Sequence, residues 1–406
     1  MPDRHLPGCR TWIDRRWFSA IAAWRQPSTP SRSGIAYGAY CCDAAGIPIP
    51  PQRQPSNRIL LIRPDHLGDV LLTTPAIRAL RAARPDAEIH ALVGPWSATV
   101  LANFSELDVI LTLPFPGFNR SIKLSWGSPY QMALTAARSL RRIGYDTALI
   151  FRPDHWWGAL VAHIAGIPRR IGYAHPDMQP FLTYSLEPKR QHAVLQNARL
   201  VEPLTGAVDQ RDLALRFPVD DENRGWVMGY LETWGIKNST PLIAVHPGSG
   251  TWVKQWDEAK WAFVADALAD QLDGQVILTG GDHELALCKR VAAQMKHRPC
   301  IAAGDTGVGA LAALFERCRV VIGPDSGPLH LAVAAGAPTV ALFGPADPVE
   351  FGSWGHPERQ QVLYAAIGCR PCRVLDWGGD DPACHPCVRE ITPARVLEAA
   401  RRAMNA

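Results

Sequence analysis

Nowhere in the 406 residues does an apolar run reach the roughly 18 to 20 residues that a membrane-spanning helix needs. A cleavable export signal is not expected either. Asp3, Arg4 and Arg10 precede any apolar stretch, and Arg15 and Arg16 interrupt the next one. Without export, the ten cysteines do not argue for disulfides, and free thiols or a metal site are the expectation. No large excess of charge is present: a net +4 gives no ground for nucleic acid as a partner. Two phosphate-binding signatures are missing as well. The first apolar strand is not followed by the three spaced glycines of a dinucleotide fingerprint, and no Gly-Lys-Ser/Thr follows the turn at Gly248–Gly250. Nor does any Asp-x-Asp pair stand at a predicted cleft edge, which suits a reaction without a metal; Asp380-Asp381 lies in a cysteine-rich segment.

What is present divides into three stretches. Residues 1–56 form a basic, Pro-rich extension. Its Trp12–Arg25 segment mixes Trp and Arg as a short interfacial helix does, and prolines at 27, 30, 48, 50, 51 and 55 have a linker composition. Eight Arg against three Asp leave residues 1–58 at +5, above the charge of the whole chain. A membrane-surface anchor and a plain disordered extension are both open readings. From Arg58 onward, short apolar runs alternate with helical stretches. In the first half the runs are Ile59–Ile62, Glu88–Val93, Asp108–Leu113 and Thr147–Phe151, with a helix expected over Asp69–Arg84. In the second half they are Leu242–Val245, Val276–Leu278, Val320–Ile322 and Thr339–Phe343, with helices near 257–272, 283–296, 308–317 and 327–335. Such alternation implies parallel sheets covered on both faces. The expectation is an α/β protein of two doubly wound domains, 57–218 and 219–406, facing across a cleft. A last helix, Pro393–Met404, has room to fold back onto the first half.

Ligands bind doubly wound sheets at the carboxyl ends of their strands, and three strand ends carry chemistry. Arg63-Pro64-Asp65-His66-Leu67-Gly68-Asp69 brings a glycine and a carboxylate to a helix start, where Asp69 projects into the cleft or merely caps the helix. His246-Pro247-Gly248-Ser249-Gly250 with Lys254 is a turn whose amides and ammonium suit a phosphate, or a plain turn. Gly323-Pro324-Asp325-Ser326-Gly327 opens a helix, and helix N-termini bind phosphate through free N–H groups and the dipole; a simple cap is the alternative.

These motifs, together with Thr279-Gly280-Gly281 and Glu284, His330, and Phe343-Gly344-Pro345, occur in the order found in one family. From about residue 58 to the C-terminus the chain resembles glycosyltransferase family 9, the ADP-heptose:lipopolysaccharide heptosyltransferases. The resemblance implies a GT-B fold and inverting transfer of a heptose from ADP-heptose to a lipopolysaccharide core acceptor, with no cofactor required. Asp69 matches the family's catalytic base, and Asp65 is the alternative. Lys254 matches a donor-phosphate contact, with Ser249 in the same turn, and Glu284 a ribose ligand. Asp325 matches a residue holding the donor sugar, Ser326 and Gly327 those binding the pyrophosphate, and His330 a support for that loop. A helix N-terminus beside Asp69 would favour its ionised form and weaken it as a base.

The acceptor side rests on the loop Phe115–Lys123. Its Arg120 and Lys123, with Arg152, Arg169 and Arg170, could meet the phosphates of an anionic glycolipid. Near the C-terminus Cys369-x-x-Cys372 and Cys384-x-x-Cys387, eleven residues apart, have the spacing of a structural zinc or iron site; reduced thiols or a disulfide are the alternatives. The resembling family includes a branch that heptosylates autotransporter proteins and carries an iron-binding cysteine motif there. The remaining cysteines, 9, 41, 42, 288, 300 and 318, read as ordinary thiols. The expected setting is cytoplasmic, peripheral on the inner membrane. A different sugar or a protein acceptor, or a nucleotide-sugar-binding subunit without catalysis, remain alternatives.

Overall fold

The computed structural model describes residues 57–118, 127–375 and 385–406. The Trp/Arg segment, Arg120, Lys123 and Cys384 lie outside them. Among the described residues no helix is long and apolar enough to cross a membrane.

Two six-stranded parallel sheets carry the chain. The first contains β1 (Arg58–Arg63), β2 (Glu88–Val93), β3 (Val109–Thr112), β4 (Thr147–Ile150), β5 (Arg169–Tyr173) and β6 (Tyr184–Leu186), in the order β3-β2-β1-β4-β5-β6. The second contains β7 (Leu242–Val245), β8 (Gln275–Leu278), β9 (Cys300–Ile301), β10 (Cys318–Pro324), β11 (Thr339–Phe343) and β12 (Gln360–Tyr364), ordered β12-β11-β10-β7-β8-β9. Counted within its own half, each sheet runs 3-2-1-4-5-6, the doubly wound dinucleotide-fold order. Central strands such as β4 and β7 are buried at every position because helices cover both faces, which is why they read as unbroken apolar runs. Sequence reading passed over four strands: β5 opens Arg-Arg and carries a glycine, β6 is Tyr-Ser-Leu, β9 has only two residues, and β12 begins Gln-Gln.

The helix expected over 69–84 is two helices, Leu67–Leu71 and Thr74–Ala83. Pro75 has no N–H to give the Leu71 carbonyl, and the Thr74 hydroxyl takes that bond instead at 2.8 Å. Thr73 donates in the same way to the Asp69 carbonyl at 2.9 Å, while Asn197 donates to Leu72 O at 2.8 Å. The break therefore fixes the short helix that carries Asp69.

The terminal helix, Pro393–Asn405, departs from expectation more fully. It lies on the second half, packed against β10–β12 and the helix Glu258–Leu272, and not on the first. Its buried face, Val396, Ala399, Ala400 and Ala403, joins a core with Trp256, Trp261 and Val264. Small alanines let the helix seat closely on the sheet, so its apolar stripe is satisfied locally. The halves are tied elsewhere. One apolar core runs from Leu71 and Val201 to Val219 and Leu329, and Trp354 Nε1 donates to Leu213 O at 2.8 Å.

Candidate active site

In each sheet the chain order reverses at the centre, between β1 and β4 and between β7 and β10, and these switch points open the crevices where ligands bind. The first supplies Arg63, Asp65 and Asp69 from the β1 end, with Arg152, Asp154 and His155 from the β4 end. The second supplies His246–Lys254 from β7 and Asp325–Gly327 from β10.

The two switch points meet glycine against glycine. A Cβ on Gly68 would stand 3.0 Å from His330 Cδ2 and 3.1 Å from Gly327 Cα, and a Cβ on Gly327 would stand 3.2 Å from Gly68 N. Any side chain at either position would push apart the helix that carries Asp69 and the helix that opens at Gly327. That close approach explains both glycines, which the local sequence could only suggest.

Asp69 keeps 36% of its side-chain surface open, as at the floor of a cleft. Burial pushes its carboxyl up to about 6, the neighbouring Asp65 adds to the rise, and Arg63 and Arg152 oppose it. Desolvation acts against the helix N-terminus, which favours the ionised form. Asp65 behaves oppositely. Burial would raise its carboxyl, but Arg63 and Arg152 outweigh that and hold it below the usual range. Arg63 Nε lies 2.8 Å from Asp65 Oδ2, an ion pair without hydrogen-bond alignment, while Arg152 Nη1 donates to Asp65 Oδ1. Beside them His155 is buried among Phe115, Phe118 and Trp157, both ring nitrogens without a hydrogen-bond partner, and burial pushes it down to about 3.

Across the junction Lys254 Nζ pairs with Asp325 Oδ2 at 2.6 Å. Ser326 stands at the N-terminus of the helix Gly327–Ala334, yet its hydroxyl makes no capping bond and has no hydrogen-bond partner. His330, one turn on, is buried, with its Nδ1 also unpartnered, and burial lowers its basicity. Glu284 closes the far end: it is 8% exposed and accepts from Gly281 N–H at 2.8 Å. A Cβ on Gly248 would fall 2.0 Å from Glu284 Oε1, so the glycine of the β7 turn is required by the acid above it. The Ser249 hydroxyl, by contrast, is committed inside its own turn, donating to Thr251 O at 2.5 Å.

Of the described basic residues read as acceptor contacts, only Arg152 stands at this cleft, ion-paired with Asp65 and Asp154 and stacked 5.1 Å from the Phe118 ring; Arg120 and Lys123 lie outside the described residues. Arg170 is buried and donates to Phe181 O and Ile167 O, and Arg169 donates to Pro203 O; both hold the chain around β5. Arg63 escaped the sequence reading, although an arginine closing an apolar strand two residues before an aspartate was the available signal. Asp347 was missed too. Its carboxyl, 1% exposed, accepts from Arg190 of the first half at 2.7 Å and from Arg373 at 3.2 Å. Among the described residues, Cys369, Cys372 and Cys387 included, no group of three His, Cys, Asp or Glu is placed to hold a metal ion. Cys288, Cys300 and Cys318 are buried thiols pushed up to about 12 by burial.

Residues 133–376 match the family model described as glycosyltransferase family 9 (heptosyltransferase). The chain belongs to glycosyltransferase family 9. Among curated relatives it is 28% identical to lipopolysaccharide heptosyltransferase 3 of Escherichia coli (strain K12) over 295 residues, covering 71% of this chain and 82% of that one. Two solved structures share the architecture. The glycosyl transferase family 9 protein of Veillonella parvula DSM 2008 aligns with a TM-score of 0.72 at 24% identity, covering 87% of this chain and 99% of that one. The E. coli ADP-heptose lps heptosyltransferase II aligns with a TM-score of 0.68 at 23% identity over 86% and 98%. The two-sheet architecture is therefore the GT-B fold, and the family 9 chain is a glycosyltransferase.

Proposed function

We propose that this enzyme transfers a heptose from ADP-heptose to a lipopolysaccharide core acceptor, with inversion and without a metal in the reaction. The observation that carries the reading is the facing of Asp69, basic and at the cleft floor, toward the helix that opens at Gly327. The names of the relatives, lipopolysaccharide heptosyltransferase 3 and ADP-heptose lps heptosyltransferase II, supply the donor and acceptor classes.

In this reading Asp69 accepts the proton of an acceptor hydroxyl as that oxygen attacks the anomeric carbon from the first domain's side. The nucleoside diphosphate leaves from the opposite face toward the second domain. There the Gly327 end of its helix, the unpartnered Ser326 hydroxyl and Lys254 stabilise the departing charge in place of a divalent ion. Lys254 donates to the Asp325 carboxylate, beside the opening of the Gly327 helix. Glu284, which accepts from the Gly281 amide, would meet the ribose hydroxyls, and Ser249 shapes the β7 turn. His330 supports the Gly327 loop from behind. Arg152, with Arg120 and Lys123, would meet the acceptor's negative charge, which brings the enzyme peripherally to the cytoplasmic face of the inner membrane. Cys369, Cys372, Cys384 and Cys387 we propose as a structural zinc or iron site apart from the chemistry. The spacing of the two Cys-x-x-Cys pairs supports it.

The decisive assay incubates the protein in EDTA with ADP-heptose and deacylated lipopolysaccharide core, and follows ADP release and product mass. We expect a gain of one heptose, a kcat/KM that falls below about pH 6, and loss of turnover by about 1,000-fold or more in Asp69→Asn with donor still bound. Near-normal turnover by Asp69→Asn removes the base. Donor binding without transfer to any core acceptor moves the acceptor to a protein or the chain to a non-catalytic role.

A further inference from the structure

Asp65 has no chemical task in that mechanism, yet its surroundings are costly to build. It is 3% exposed and sits between two guanidinium groups. A buried carboxylate with its counter-ions rarely improves on apolar residues in stability, so its retention asks for another reason. The reason lies in how Arg63 is shared. Its Nη1 donates to the Phe151 carbonyl at 2.9 Å, which pins the fork to the β4 end. Its Nε then stands 2.8 Å from Asp65, and only Nη2 reaches Asp69, at 3.3 Å. The Arg152 guanidinium is likewise divided between Asp65 and Asp154. Neither arginine closes a two-pronged pair on Asp69. We infer that Asp65 is a positioning residue: it draws Arg63 and Arg152 away from Asp69 and leaves that carboxylate free to accept a proton from a hydroxyl.

The catalytic consequence rests on the reading of Asp69 as the base; the electrostatic arrangement does not. Around Asp69 stand Arg63 from β1, Asp65 and His66 from its own loop, and Arg152, Asp154 and His155 from the β4 end. From the second half come Asp325 with its partner Lys254, and His330. Burial lowers the basicity of the two histidines flanking the cleft, His155 and His330. Removing the Asp65 charge deletes one repulsion on Asp69 and frees two cations toward it. Both changes favour the ionised form, so both lower the pH at which Asp69 takes up its proton.

Asp65 is not needed to hold its loop. Trp96 Nε1 and Ser97 Oγ both donate to the Asp65 main-chain carbonyl at 3.1 Å, contacts that Asp65→Asn keeps. The experiment is a pH titration of carboxyl-13C aspartate by NMR in wild type, Asp65→Asn and Arg152→Gln, with Asp69→Asn to assign the resonance. A pH profile of kcat/KM with ADP-heptose and core acceptor accompanies it. In Asp65→Asn the Asp69 midpoint should fall by about one pH unit or more and the acid limb should follow it. We expect kcat to drop about tenfold with the donor KM unchanged. In Arg152→Gln, which removes a cation, the midpoint should rise; this variant also carries the test should Asp65→Asn fail to fold. An unmoved midpoint in both variants overturns the inference. A midpoint that moves while the acid limb stays in place upholds Asp65 as the positioning residue and removes Asp69 as the base.

Discussion

At the scale of single residues, the donor side of the cleft is sculpted by what is missing from Gly248. Its absent Cβ is the space that Glu284 occupies, and Glu284 is itself fixed by the Gly281 amide and lies 3.8 Å from His246. Gly248→Ala therefore cannot be absorbed by a small rotation of a free side chain; the acid must leave its amide. We expect a donor KM raised about tenfold, roughly 1.4 kcal/mol, with kcat changed much less. Calorimetric titration with ADP, which carries the ribose but no sugar, should show the same loss. Equal ADP affinity in wild type and Gly248→Ala would take Glu284 out of ribose binding. The general point concerns pairs: Gly68 with Gly327, and Gly248 with Glu284, are distant in sequence and meaningful only together. A sequence displays each glycine and acid, but not that one is the vacancy the other fills.

At the scale of elements, long apolar strands were legible because burial on both faces of a parallel sheet demands an unbroken apolar run. The bounds of β2, β7 and β11 coincide with those read from the residues. Strands β5, β6, β9 and β12 were not legible, since the paired arginines of β5, the polar residues of β6 and β12 and the two-residue length of β9 leave no apolar run to read. The terminal helix showed its apolar stripe but not its partner. Amphipathicity tells which face is buried and not against what. The cysteine segment shows the same limit: four thiols stand at ligand spacing, yet among the described residues no three are placed to hold a metal ion. Protein purified without chelator should carry about one zinc or iron per chain by elemental analysis, and removing it should lower the melting temperature by several degrees. Metal-free protein with the same melting curve would leave these as ordinary thiols. The segment touches the donor side: a Cβ on Gly344 would lie 3.4 Å from Cys387 Sγ and 3.5 Å from the Val253 carbonyl, next to Lys254. Metal loss should therefore also weaken ADP binding.

At the scale of the whole molecule, a cleft enzyme of two domains needs a contact that sets their spacing without welding them, and Asp347 has that character. Its carboxyl is closed to water by the guanidinium groups of Arg190 and Arg373, which are themselves 61% and 55% exposed, so it is shielded by its partners more than by a core. Arg190 belongs to the first half and Asp347 to the loop after β11 in the second. His192 two residues on donates through Nε2 to Gly352 O at 2.8 Å and packs on Trp354. Burial would raise the Asp347 carboxyl, but Arg190, the Val349 amide and Arg373 outweigh it and lower it. A depressed carboxylate stabilises the fold above its unfolded-state pKa of about 4 and loses that contribution as pH falls through its folded-state value. Asp347→Asn keeps a side chain able to accept from the Val349 amide but deletes the charge. Because both arginines can return to water, the loss should be only about 1 kcal/mol at pH 7, not the several expected for an orphaned buried ion. Urea unfolding at a series of pH values should show that gap constant above about pH 5 and closing below about pH 4. A gap that persists unchanged into acid would mean that Asp347 acts through shape, and that its charge does not tie the two halves together.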